Sequence, residues 1–266
     1  MKNDLLYVYG IAKKLIPPVP GLDSMNIESL GFGRFYAVIR YISLSEYSGA
    51  GFRKNISDET LSESNSHQHE KVLAMIMEHT AVIPFRPGTM FSTSLALGEF
   101  IAEHSDSLGE NLEYVEGREE WIVQVYCNRK TMSEQIDELS PRAADLEKQV
   151  MASMPAKALL LRRKKTDFVE TEMDHICKCY AREYLEKFRD ISTSSSLSNI
   201  LPKEFTCHPD AMVLNAVFLV DSNKANEFNW LANSLGKKDR STGFNITING
   251  PLPPYTFISL IPNAKI

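Results

Sequence analysis

The sequence predicts two domains of mixed α+β or α/β type. The first is an N-terminal α/β domain over residues 1–155, and the second is a ferredoxin-like domain over residues 156–266 with a proline-rich tail. Three observations carry this. Strand-type and helix-type runs are interleaved along the chain. The pattern changes near residue 155, where a long polar helix meets Pro155. Beyond that point the elements run β-α-β-β-α-β, the ferredoxin-like order. A chain of 266 residues, 43 % of them hydrophobic, can bury one large core or two of ordinary size.

Leu5–Ile11 (LLYVYGI) is rich in residues that pack on sheets and reads as the first strand. Tyr7 and Tyr9 alternate on it, so one sheet face carries aromatics. Pro17, Pro18, Pro20 and Gly21 make a rigid loop. Phe35–Ile42 is a second strand, and the polar stretch Ser43–Glu63 is expected to carry a mobile insertion. From His69 to His79 a helix follows, with Val72, Leu73, Ile76 and Met77 as its apolar stripe. Pro84, Pro87 and Gly88 then force a turn around Arg86. A further helix starts near Ser92–Ser94 and contains Glu99, Phe100 and Ile101. Trp121–Cys127 alternates as a strand. Thr131 and Glu134 have the spacing of a capping box. The helix they open runs through Ile136, Leu139 and Leu146 towards Met151, with a break at Pro141, and bridges the domains.

In the second half, Ala158–Leu161 reads as a strand and Phe168–Phe188 as a long helix. Ser192–Asn199 is a polar loop and Leu201–Phe205 a short edge strand. Met212–Val220 is a central strand, Ala225–Leu235 a helix and Phe244–Ile248 the final strand. Trp121 and Trp230 fit core or domain-interface positions. Asn249–Phe257 (NGPLPPYTF) is preordered by its prolines, so little entropy is lost when it docks, and intramolecular docking at the domain junction is its favoured role.

A formal net charge of -5 argues against a nucleic-acid partner, which usually meets concentrated positive charge. The run Arg162–Lys165 reads as the solvated end of a strand. Leu5–Ala12 is too short for a signal peptide and is followed by Lys13 and Lys14. Nothing approaches the roughly 20 apolar residues that span a bilayer. Four cysteines in a chain this long suggest reduced thiols in a cytoplasmic protein rather than a disulfide framework.

Metal and catalytic readings are weak. Of His175, Cys177 and Cys179, only the first and last share a helix face, and two ligands are too few for a structural zinc site. Cys127 and Cys207 have no local ligand partner. His67, His69 and Glu70 form the most suggestive polar group. Acid–base work there needs a polarising partner and a pocket, so capping, packing or solvent exposure is the favoured reading. There is no P-loop, H-E-x-x-H helix or G-x-S-x-G elbow, and Gly31-Phe32-Gly33 lacks the third glycine of a dinucleotide turn. No cofactor or metal is expected.

Taken together, several motifs resemble the gas vesicle protein F/L family nearly end to end. LLYVYGI resembles its opening strand. His69-Glu70-Lys71-Val72-Leu73 followed by VIPFRPGTMF at Val82–Phe91 resembles its H-x-x-V-L and V-L-P-x-R-F-G-T-x-F signature. Glu120–Val125 stands where the family has E-W-x-V-K-V. Asn215–Phe228 resembles the motif before the last helix, and NGPLPPYTF the terminal T-G-P-W-P-P-Y-S-F. Pro87, Gln124 and Leu252 replace the usual phenylalanine, lysine and tryptophan. The resemblance implies a non-enzymatic, cytoplasmic accessory protein of gas vesicle assembly. Its partners would be the apolar shell protein GvpA and other accessory proteins, with no membrane partner and with much of the shell contact made by the N-terminal domain. The alternative it implies is a minor component of the vesicle wall. The residues expected to contact a partner are Phe85, Arg86, Phe91, Tyr255 and Phe257. Phe85 and Phe91 would make apolar contact or hold the turn, and Tyr255 and Phe257 would anchor the tail.

Overall fold

The computed structural model describes residues 4–18, 21–22, 25–43 and 59–259. The strands are β1 (Asp4–Ala12), β2 (Ile27–Phe32) and β3 (Phe35–Ser43), then helix α1 (Glu59–Met77). Short strands β4 (Val82–Pro84) and β5 (Met90–Phe91) precede α2 (Ser94–Glu103), α3 (Ser105–Val115) and β6 (Arg118–Cys127). Helices α4 (Arg129–Glu134), α5 (Ile136–Leu139), α6 (Pro141–Met151) and α7 (Pro155–Asp190) follow. The remainder is β7 (Ser194–Leu197), β8 (Ala211–Asp221), α8 (Ala225–Lys238) and β9 (Phe244–Leu252). The expected insertion at Ser43–Glu63 falls largely on residues 44–58, outside the described residues.

The chain divides into two compact units, one of residues 1–120 with 251–266, the other of residues 121–250. The boundary expected at 155/156 is therefore replaced by two crossings, one within β6 and one within β9. The reason lies in β6, whose inward residues Trp121, Val123 and Val125 share a core with Phe218 and Phe228. Residues after Pro251, in turn, pack with the N-terminal elements.

In the first unit the strands order β2-β3-β1-β4, with β5 also on β1. Both faces of this sheet are covered. Leu6, Val8 and Ile11 pack with Phe85, Leu97, Ile101, Leu108 and Leu112, under α2 and α3. Tyr9, Ala12 and Val38 pack with Val72, Leu73 and Ile76 of α1. Strict alternation would send Ile11 away from Val8, but the register of β1 on β3 shifts between Val8 and Gly10. This bulge inserts one residue and returns Ile11 to the face of Val8.

In the second unit the strands order β7-β8-β6-β9. With α7 between β6 and β7, and α8 between β8 and β9, this is the β-α-β-β-α-β arrangement. Its first strand is β6, not Ala158–Leu161, which lies inside α7. In that stretch Ala158, Leu161, Lys165 and Phe168 are partly buried at helical spacing while Leu159 and Leu160 are 70 % and 71 % exposed. The basic run belongs to the same helix, where Lys165 bridges Asp137 and Glu147 at 2.8 Å each. Pro155 thus opens a helix at its first position rather than closing one.

Other boundaries move for local reasons. Asn128 caps α4 by accepting from Thr131 N–H at 2.9 Å, so the Thr131–Glu134 box is not the cap. The chain does break before Pro141, where the Ser140 hydroxyl accepts from Ala143 N–H. The edge strand is Ser194–Leu197, expected as loop, whereas the expected strand Leu201–Phe205 ends in a 3-10 turn. Trp230 is 68 % exposed, because the buried stripe of α8 is Phe228, Ala232 and Leu235. Trp121 is buried.

Gly10 shows how tightly β1 is flanked. A Cβ there would collide with the carbonyl oxygen of Ile83 and approach Val82 Cγ2 to 2.9 Å. Gly10→Ala is therefore expected to lower unfolding free energy by about 1–3 kcal/mol, the usual cost of overpacking. Urea denaturation measures it.

Candidate functional site

The segment between β4 and β5 leaves the sheet and comes back to the same strand. Phe85 N–H donates to Tyr9 O at 2.8 Å, and Val8 N–H donates to Thr89 O at 3.0 Å. Between these anchors Arg86–Thr89 forms a tight turn closed by Thr89 N–H on Arg86 O at 3.1 Å. Pro87 at its second position and Gly88 at φ +87° in its third fit a type II turn, which requires the left-handed region there. Thr89 Oγ adds a 2.7 Å bond to Arg86 O. Arg86 and Pro87 are exposed, while Phe85 and Thr89 on either side are buried.

A buried histidine holds this turn from below. His69, 1 % exposed on α1, lies 2.9 Å by Nε2 from Phe85 O and 2.7 Å by Nδ1 from the Tyr7 hydroxyl. A carbonyl can only accept, so Nε2 carries the proton and Nδ1 accepts from Tyr7. The Tyr7 oxygen in turn accepts Gly88 N–H at 3.2 Å. One relay thus fixes the turn on both sides of Arg86. The ring stacks on Tyr9 at 5.1 Å, and burial lowers its pKa to about 4 and raises that of Tyr7 to about 12.

The 251–259 segment packs onto the same unit. Pro253 and Pro254 are buried, and Tyr255–Phe257 forms a 3-10 turn. The Tyr255 hydroxyl donates to Glu70 Oε1 at 3.0 Å, with Phe85 O as a second acceptor at 3.3 Å. Thr256 donates its N–H and hydroxyl to the two oxygens of Glu120, at 2.9 Å each. Ile258 enters the core under α2 and α3, and Ser259 N–H reaches Asn111 Oδ1 at 3.4 Å. Burial raises the Glu70 carboxyl and pushes Glu120 up to about 7, with the Glu70 charge adding to the latter.

Of the five residues expected at a partner surface, Arg86 alone is largely exposed. Phe85 is 0 % exposed and packs edge-on against Phe100 at 5.9 Å, so it holds the turn and presents no face. Phe91 is half-buried against the same ring at 5.6 Å. Tyr255 and Phe257 are half-buried, and Tyr255 bonds within the first unit. Sequence reasoning missed Tyr7, Glu70 and Glu120 as one network with the tail, because their partners lie up to 185 positions away. His69 and Glu70 point into separate bonds, and both imidazole nitrogens are engaged. His175 Nε2 lies 3.6 Å from Cys179 Sγ, and no group of three metal-binding side chains occurs among the described residues.

Comparison with known proteins decides the family. The model of the gas vesicle synthesis protein GvpL/GvpF family matches residues 5–259. The chain belongs to the GvpL/GvpF family. A gas vesicle protein L from Streptomyces sp. (strain CB03234) is 22 % identical over 265 residues, covering 98 % of this chain and 95 % of that protein. The crystal structure of GvpF from Anabaena sp. PCC7120 matches with a TM-score of 0.68 at 18 % identity, over 97 % of this chain and 99 % of the other. GvpF from Microcystis aeruginosa gives 0.60 at 20 % identity, over 96 % and 99 %. These GvpF structures share the mixed α/β fold. No helix among the described residues is long and apolar enough to cross a membrane.

Two measurements test this candidate site as built. His69→Leu strands the Tyr7 hydroxyl and one bond to Phe85 O, and is expected to cost about 1–3 kcal/mol in urea unfolding. The second concerns pH. The folded protein keeps a proton on Glu120 between pH 4.5 and about 7 that the unfolded chain releases, so this contribution to stability is lost as pH rises through that window. His69 acts oppositely, since its lowered pKa penalises folding below about 6.5. Glu120→Gln removes only the first effect, with Glu70 and Thr256 still facing the position. Relative to the parent, the variant should gain about 3 kcal/mol between pH 4.5 and 7.5. Parallel pH curves would reject this role for Glu120.

Proposed function

We propose that this protein acts in gas vesicle assembly as a stoichiometric binding factor for the shell protein GvpA and other gas vesicle proteins, rather than as an enzyme. The observation that carries this is the PFRPG turn, which displays Arg86 on a framework fixed by Phe85, His69, Tyr7 and Gly88. A preformed turn loses little entropy on docking, so its polar contact contributes more to affinity. The supporting polar groups hold the turn and the tail: His69 bonds Tyr7 and the Phe85 carbonyl, and Tyr255 donates to Glu70.

A shell subunit awaiting polymerisation exposes apolar surface that would otherwise self-associate. A folded partner covers it reversibly and delivers the subunit to the growing shell, in the cytoplasm or at the vesicle. Arg86 orients a carboxylate or backbone carbonyl of the subunit, and the exposed Pro87 next to it in the turn adds apolar surface. The second reading, retention as a minor wall component, makes the same contacts but leaves the protein in the finished particle.

A pull-down with purified shell protein tests the contact. Arg86→Ala should weaken binding at least tenfold, the scale of an arginine anchor, with an unchanged melting curve. Undiminished capture would remove Arg86 from the mechanism. Quantitation on washed, intact vesicles separates the two readings: consistent absence favours the assembly role, and protease-protected retention the wall.

A further inference from the structure

Opposite charges are segregated along this chain. Between Glu147 and Asp167 there is no acidic residue, and there are six lysines or arginines. Between Arg86 and Arg118 there is no lysine or arginine, and there are six acidic residues. The first stretch covers the corner from α6 into α7 in the second unit, and the other covers α2 and α3 in the first. Each also exposes large apolar side chains. Met151 and Met154 are 74 % and 78 % exposed at the corner, and Leu159 and Leu160 follow on α7. Leu95 is 72 % exposed on α2, and Tyr114 is exposed on α3.

Helical spacing sorts these residues into faces. On α7, Arg163 follows Leu159 by four positions and Leu160 by three, so the three share one outward face, bordered by Arg162 and Lys164. Of the run Arg162–Lys165 only Lys165 turns inward, to Asp137 and Glu147. Arg162, Arg163 and Lys164 are exposed and have no ion pair among the described residues. On α2, Leu95, Glu99 and Glu103 share an exposed face at four-residue spacing. On α3, Asp106, Glu110 and Tyr114 do the same, with Glu113 beside them. Asp106 meets Arg34 at 3.9 Å, while Glu99, Glu103, Glu110 and Glu113 have no ion pair among the described residues. An apolar patch bordered by unpaired cations thus has its complement, on the same chain, in apolar side chains bordered by unpaired carboxylates. Two basic faces repel each other, as do two acidic ones, so a contact of like with like is disfavoured.

We propose that the α6–α7 corner of one copy docks on the outer face of α2 and α3 of a second copy. Leu159 and Leu160 cover apolar surface there, and Arg162 and Arg163 pair with Glu110 and Glu113. Because the two faces differ, the contact is heterologous. Each bound copy keeps a face free for another, so the product is a ring or an open chain. Arg86 belongs to neither face, and the inference does not rest on the shell-protein reading.

Sedimentation velocity on the full chain tests it. At low salt the weight-average mass should rise with protein concentration. It should fall back towards the monomer at about 1 M salt, where the Debye length shrinks to about 3 Å. One variant carries Arg162→Gln with Arg163→Gln, and a second carries Glu110→Gln with Glu113→Gln. Each alone should raise the dissociation constant about tenfold or more, with an unchanged melting curve. Mixed in equal amounts, each variant still offers the face that the other lacks, so the mixture should form a dimer that grows no further. A parent chain that stays monomeric at every concentration, association untouched by both variants, or a mixture that remains monomeric would each overturn the proposal. Arg86→Ala should leave the self-association in place, so this inference and the shell-protein reading fail separately.

Discussion

The first unit is organised around a buried imidazole. Placing His69 among Tyr7, Tyr9 and the Phe85 carbonyl costs solvation that only well-made bonds return. The return is specific: Nε2 fixes the carbonyl before the turn, and Nδ1 fixes the tyrosine that receives Gly88. Together with the backbone anchors on Tyr9 and Val8, those two bonds hold the turn in which Gly88 takes φ > 0 and Arg86 is exposed. Phe85 contributes from the other side of the sheet by burying its ring against Phe100. A helix, a strand and a loop that are distant in sequence are thereby made to agree on one conformation.

The carboxylates extend the same logic. Glu70 neighbours His69 in sequence, and it receives Tyr255 while the Phe85 carbonyl lies within reach of the same hydroxyl. Glu120 receives Thr256 through both of its oxygens. Burial raises the proton affinity of both carboxyls, the Glu70 charge adds to that of Glu120, and the bonds from Tyr255 and Thr256 oppose it, so protonation and tail attachment are linked. The tail is a structural part of the unit that carries the turn.

Much of this was legible in the residues. The apolar stripe Val72–Leu73–Ile76, the alternating Trp121–Cys127 strand and the Pro–Gly punctuation of the turn obey local rules, and the structure follows them. The same rules mislead where one residue type serves two geometries. Leu159-Leu160-Leu161 looks like a strand core, yet the first two leucines face outward on a helix. Ser194–Ser196 looks like loop because an edge strand needs little apolar character. The candidate site is half legible: the prolines mark the turn around Arg86, and capping, packing or solvent exposure is all that local sequence offers for His69, which the structure buries. Its true partners were not readable, since nothing local ties Tyr7, Glu70 or Glu120 to residues far along the chain. The domain boundary failed for a related reason, because the second unit begins in a strand that looked like part of the first.

The first unit is discontinuous, and that orders events during synthesis. Residues 1–120 contain the turn and its histidine, but Tyr255, Thr256 and Ile258 emerge from the ribosome only after the whole second unit. Domains usually fold as their residues become available. Here a nascent chain has a scaffold whose hydrophobic floor and two carboxyl groups stay uncapped until translation passes residue 259. A product truncated before residue 255 thus lacks the bonds that Tyr255 and Thr256 make to Glu70 and Glu120, and its Phe85 carbonyl keeps only the His69 side chain.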